Sequence, residues 1–168
     1  MNKILFLAVI SAFILSSCSS KTPQPIDQGE KASAENTIET EPSIQLYPVD
    51  GYFSTVKLTE PKVYVLDQAT FEKNFQPAKT MENSPTEINF DMEKVGAIVL
   101  PETPFETTIT LDSTSLYNKT LHIYYSITKG QEKRTFTIIP TEIFTFDAEV
   151  DAASVSFDNE GRSIKIDL

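Results

Sequence analysis

From Phe105 onward, apolar side chains recur at every second position, and this period constrains the fold more than any other feature. FETTITL (105–111) puts Phe105, Thr107, Ile109 and Leu111 on one face, and LHIYYSI (121–127) does the same with Leu121, Ile123, Tyr125 and Ile127. A helix would need a repeat near 3.6; a repeat of two buries one face of a pleated strand. Further strands are predicted at YFSTVKL (52–58), KVYVL (62–66), KRTFTII (133–139), EIFTFD (142–147), AASVSFD (152–158) and RSIKIDL (162–168). Phe136 and Ile138 of KRTFTII are expected to face the core, and Ile164 and Ile166 are the apolar residues of the last strand. VGAIVLP (95–101) is an unbroken apolar run, suited to a central strand with no solvent face. The punctuation fits: Pro101 and Pro104 bracket a turn, Lys129-Gly130-Gln131 turns the chain, and Asp158-Asn159-Glu160-Gly161 is a further turn signal. QPAKTMENSPTE (76–87) reads as a loop.

One segment breaks the alternation. In DQATFEKNF (67–75) Asp67 is a good N-cap, and Ala69, Glu72 and Lys73 favour helix. Phe71 and Phe75 share one face at i, i+4. The predicted class is therefore α+β and strand-dominated: a curved antiparallel sheet, barrel-like or a sandwich, with one short helix at about 67–75 packed on it. Residues 44–168 have the length of a single β-rich domain, with no internal repeat.

The first residues have another character. Met1-Asn2-Lys3 carries one basic side chain, and ILFLAVISAFIL (4–15) is apolar except for Ser11. A bilayer-spanning helix needs roughly 20 apolar residues, so the run has the length of an export signal's core. It ends in Leu15-Ser16-Ser17-Cys18, which resembles the lipobox of bacterial lipoproteins. The resemblance implies a signal peptide over 1–17, cut before Cys18, and acylation of Cys18 with diacylglyceryl and palmitate-type chains. Each buried methylene contributes about 0.8 kcal/mol, and two or more chains hold far better than one. Cys18 is the one cysteine, so the expected extracytoplasmic domain has no disulfide and depends on its core.

Residues 18–43 are expected to form the lipidated cysteine and a flexible tether. SSKTPQPIDQGEKASAENTIETEP (19–42) has three prolines, no aromatics and four apolar residues, too few to offset its ordering entropy. Its average reach is roughly 25–30 Å. The chain carries 14 basic and 24 acidic residues, a formal charge of −10. That balance excludes a nucleic-acid partner, which calls for clustered Lys and Arg, and opposes electrostatic docking on anionic lipid. An acidic face suits a basic partner or a cation.

No catalytic residue and no cofactor are assigned. His122 is the one histidine and alternates outward, as an exposed strand residue; with a lipidated cysteine, neither a catalytic triad nor a zinc centre is readily assembled. Asp147, Glu149 and Asp151 resemble the start of an acidic calcium loop. However, Ala152 stands at the glycine position and Asp158 at the distal acid, so they are weak metal candidates beside a solvated acidic turn. Paired carboxylates for glycoside hydrolysis have no signature of their own. There is no Trp, and Tyr117 and Tyr124 read as strand-face residues while Tyr125 reads as core. With five glycines there is no phosphate-cradling loop and no dinucleotide fingerprint.

Residues 62–147 present a strand, a helix, and then INFDMEKVGAIVL, FETTITL, LHIYYSI and IIPTEIFTFD. This order, with Asn89-Phe90-Asp91-Met92-Glu93-Lys94-Val95-Gly96-Ala97 at the position of an (I/V)DF-x-K-x-x-V-x-A segment, resembles the C-terminal domain of the PrcB lipoprotein family. The family's Thr-Gly-Gly-Tyr-like turn is replaced here by Pro104-Phe105-Glu106-Thr107. The resemblance implies binding or assembly rather than catalysis and carries over no site residues. The expected protein is a non-enzymatic, lipid-anchored envelope module that binds a protein partner. The alternative is an envelope binder of sugar, peptide or cation, and a carboxylate-based hydrolase ranks third. Ser19 after the cysteine resembles outer-membrane sorting in Gram-negative bacteria, with the periplasmic face favoured over the surface.

Overall fold

Two strands, β5 (Glu93–Val99) and β8 (Thr141–Asp147), form the spine of the domain and are covered on both faces. The structure, a computed structural model, describes residues 42–78 and 84–168. The signal segment, Cys18 and the tether up to residue 41 lie outside the described residues, as do residues 79–83 of the 76–87 loop. β5 and β8 pair antiparallel and are flanked by β1 (Tyr47–Pro48) and β3 (Lys62–Leu66), giving a sheet of order β1-β8-β5-β3. Alternation sends their side chains two ways. Ile98, Leu100, Phe144 and Phe146 face one core, and Val95, Ala97, Val99 and Ile143 face another. That is why VGAIVL reads as a continuous apolar run.

The first core is closed by a second sheet of order β10-β9-β7-β6, made from β6 (Thr103–Tyr117), β7 (Thr120–Ile138), β9 (Ser154–Asn159) and β10 (Arg162–Asp167). Leu121, Ile123, Tyr125, Val155 and Phe157 point from it toward the first sheet. The second core is closed by helix α1 (Gln68–Asn74) and a small sheet of β2 (Tyr52–Ser54) with β4 (Phe75–Pro77). The strand-dominated α+β class holds, as a sheet sandwich with one short helix rather than a closed barrel. One pair departs from the antiparallel expectation: β7 and β9 run parallel from Thr120↔Ser154 to Tyr124↔Asp158.

Three local expectations are corrected. YFSTVKL is a strand only over β2, because β4 offers it three partners and no more. Lys129-Gly130-Gln131 does not turn the chain; β7 runs through it. The β6–β7 reversal lies instead at Asn118 and Lys119, both with positive φ, as a two-residue hairpin requires. At Gly130 the ladder shifts between Thr107↔Lys129 and Phe105↔Lys133, leaving extra residues on β7, so the glycine marks a bulge rather than a turn. These bulges lie toward the end of the β6–β7 ribbon at which β5 leads into β6 and β7 into β8, a corner closed at its base by Leu100 N–H donating to Pro140 O (2.9 Å). Phe136, an odd number of positions along β7 from Ile123 and Tyr125, faces outward and is 58% exposed, against the expectation that it faces the core. The Asp158–Gly161 signal is a true hairpin turn, with positive φ at Glu160 and Gly161.

Pro42 to Leu46 run along β6: Leu116 N–H donates to Pro42 O, and Thr114 Oγ1 donates to Ile44 O while accepting from Ile44 N–H. Glu142 lies beside this segment in a crevice with Leu46, Ile109 and Leu111. Burial, and secondarily the charge of Asp50, raises its pKa. A raised carboxyl pKa means the fold holds the proton more tightly than the unfolded chain. Stability therefore falls as pH rises from the ordinary Glu value, about 4.3, through the raised one, and stays lower above it. Glu142→Gln is expected to raise the thermal midpoint at pH 7 and to match the parent at pH 4. Melting curves across that range check this, and equal midpoints throughout would refute it.

Candidate functional site

An open groove of about 1110 Å³ lies between α1, β4 and the 87–93 segment. Its position follows from the local sequence. Asp67 caps α1, its Oδ1 accepting from Thr70 N–H at 2.7 Å, and that bond lowers the Asp67 pKa. The cap sets Phe71 and Phe75 on the sheet side, their rings stacked at 5.2 Å. Tyr52 meets Phe71 edge-on at 5.1 Å and donates its hydroxyl proton to Thr86 O. Phe90 tilts against Phe71 from the other side at 5.7 Å. The 89–93 turn is held reciprocally: Glu93 N–H donates to Asn89 O, and Asn89 N–H donates to Glu93 Oε2. Thr145 donates to the other Glu93 oxygen.

The floor is thus aromatic and the rim acidic. Glu72, Glu87, Asp91 and Glu93 line the groove together with Gln68, Gln76 and Asn89, and among the described residues no Lys, Arg or His does. Glu93 is occupied by the turn, whereas Glu87 and Asp91 point to solvent. Such a surface suits groups that are both cationic and apolar, through ion pairs at the rim and cation–π contact with the half-buried Tyr52 and Phe90; Phe71 and Phe75 are buried beneath them. Among the described residues, the titratable groups of the lining are these four carboxylates and Tyr52.

A second constellation lies on the solvent side of the other sheet. His122 Nδ1 and Asp158 Oδ2 are 3.0 Å apart, joined across the parallel β7–β9 register. The carboxylate only accepts, so the proton is assigned to Nδ1. Asp158 Oδ1 also accepts from Ser156 and from Ser163 of β10. His122 does point outward as expected, but it is paired and half-covered rather than freely exposed. Among the described residues no hydroxyl bonds its Nε2, the position a catalytic serine would take. The pair ties β7, β9 and β10 together. Asp158→Ala is expected to destabilise the fold by about 1–3 kcal/mol, the cost of stranding three donors. Urea titration measures this, and a loss under about 0.5 kcal/mol would show the donors re-partnering with water.

The sequence-predicted residues fall as follows. Cys18 lies outside the described residues. Asp147 Oδ1 accepts from Glu149 N–H, and Asp151 pairs with Lys119 at 3.2 Å. No group of three or more His, Cys, Asp or Glu among the described residues is placed to hold a metal. Tyr125 is core, while Tyr117 and Tyr124 are exposed. No described helix is long and apolar enough to cross a membrane. No protein-family model matches the chain, and searches of curated proteins and of solved structures find no similar protein.

The groove was not foreseen. Phe71 and Phe75 announce a packed helix face, and the rim acids Glu72, Glu87 and Asp91 look like ordinary surface charge. Only the β2–β4 pairing brings Tyr52 to the same floor.

Proposed function

We propose that the protein is a non-enzymatic binding and assembly module of the cell envelope, whose folded domain recognises a protein partner through the α1–β4 groove. The observation that carries this reading is the acidic rim around the aromatic residues of an open groove, a surface that suits a segment of a protein. The anchor belongs to the same proposal: Cys18, acylated at the end of a lipobox-like signal, holds the protein in an outer membrane on its periplasmic side, with the 18–43 tether setting its reach. The resemblance of residues 62–147 to the PrcB C-terminal domain agrees with assembly rather than catalysis.

The test is crosslinking of the native lipoprotein in its membrane, followed by mass spectrometry of co-purifying proteins, with Cys18→Ala as control. A near-stoichiometric partner that is lost in the control, and weakened by Glu87→Lys or Asp91→Lys, is the expected result. Absence of any partner would overturn the reading.

A further inference from the structure

We infer that the groove of one copy of this chain receives the bulged β6–β7 corner of a second copy, in a head-to-tail contact. This rests on the reading of the groove as a protein-binding site and names its occupant. The corner is the chemical complement of the groove. Its β7 side carries Lys129, Lys133 and Arg134 against the single acid Glu132 within six residues, a net charge of +2 in a chain with ten more acidic than basic residues. The cations are already poised on aromatic faces: Lys129 Nζ sits 4.2 Å from the Phe105 centroid and the Arg134 guanidinium 5.6 Å from that of Phe136. Arg134 also pairs with Glu106 at 3.2 Å, whereas among the described residues no acidic partner within 4 Å holds Lys129 or Lys133. The groove offers the opposite set, an aromatic floor under Glu72, Glu87 and Asp91.

The apolar surfaces match as well. The two most exposed large hydrophobic residues among those described are Phe136 on the corner and Met92 on the groove rim, each 58% exposed. Seated on Phe90 and Met92, Phe136 would lose its water contact, and Lys133 would meet the rim carboxylates. Corner and groove are different surfaces, so the contact is heterologous, and repeated it builds a ring or an open row of copies. A strongly acidic chain repels itself, so the contact relies on this local reversal of charge and weakens as salt screens it.

The experiment uses the full chain in its membrane, in two differently tagged copies, one carrying a photo-crosslinking phenylalanine analogue at position 136. The expected crosslink joins the two tags and maps to α1 or to residues 84–93. Lys129→Glu with Lys133→Glu on both copies, or Glu72→Lys with Glu87→Lys on both, should cut its yield at least tenfold while protease resistance stays that of the parent. Placing the corner reversal on one copy and the groove reversal on the other leaves one intact corner and one intact groove. The crosslink should then return in full when the probe is on the groove-reversed copy, and in part when it is on the corner-reversed one, whose new carboxylates face the new lysines of the other copy's groove. A crosslink to a different protein alone would overturn the inference and leave the proposed binding function standing. Crosslinks between copies that map elsewhere, or that survive both reversals, would overturn it as well.

Discussion

Gly96→Val is expected to remove more stability than any conservative surface change, on the order of 3 kcal/mol or more, and to leave the domain partly unfolded at physiological temperature. Gly96 sits in β5 with a strand on each side, paired with Val65 on β3 and Phe144 on β8. A Cβ at this position would point into the Phe144 ring, which occupies the space a side chain would fill. That ring is fully buried, so it has nowhere to swing. Aromatic cover of a strand glycine is a known device for keeping register, and overpacking such a site costs about 1–3 kcal/mol for small additions. Gly96→Ala should fall in that range and Gly96→Val beyond it, against a total stability of about 5–15 kcal/mol. The mechanism has its own check: Phe144→Leu should partly rescue Gly96→Ala, because the two changes compete for one volume. Urea titrations of the parent, both single variants and the double variant decide the matter. Strict additivity would mean that the ring does not hold the glycine in place.

The strands were legible where neighbours in sequence are neighbours in space. LHIYYSI lies in the β6–β7 hairpin and keeps its alternation, so Leu121, Ile123 and Tyr125 are where period two puts them. VGAIVL was legible because a strand covered on both faces needs no polar positions. The helix at 67–75 showed its cap and its two phenylalanines. KRTFTII failed because it is not a separate strand after a turn: β7 runs on through Gly130, the two extra residues between Lys129 and Lys133 leave the alternation in phase, and Phe136 stands an odd number of positions from Ile127, on the outer face. Gly130 signals irregular backbone equally for a turn and for a bulge, and only the partner strand separates the two. The His122–Asp158 pair depends on a parallel register between strands separated by all of β8, which nothing local encodes. The groove depends on Tyr52, Phe71 and Phe90 converging from three segments, and convergence of this kind has no period.

Phe157→Ala and Phe136→Ala should therefore behave very differently, although both residues lie in alternating strands and carry the same side chain. Phe157 is 1% exposed on β9 and tilts against Phe144 at 6.3 Å, bridging the two sheets. Its other neighbours include Ile123, its parallel register partner on β7. Truncation opens a cavity in a layer that cannot collapse, because strands on both sides are fixed by their own ladders; the expected loss is about 3–5 kcal/mol. Phe136→Ala removes an exposed ring and should shift stability by no more than about 0.5 kcal/mol. Chemical denaturation of the two variants side by side measures the contrast. If both cost several kcal/mol, Phe136 is a core residue, the irregular register past Gly130 has inverted the face set by Leu121 to Ile127, and the corner has no apolar surface to offer a second copy. If only Phe157 does, Phe136 lies on the solvent face, opposite Ile123 and Tyr125 in the alternation of β7. In that case Phe136→Ala should leave the fold intact while abolishing the crosslink between copies, read from a photo-probe moved to position 135.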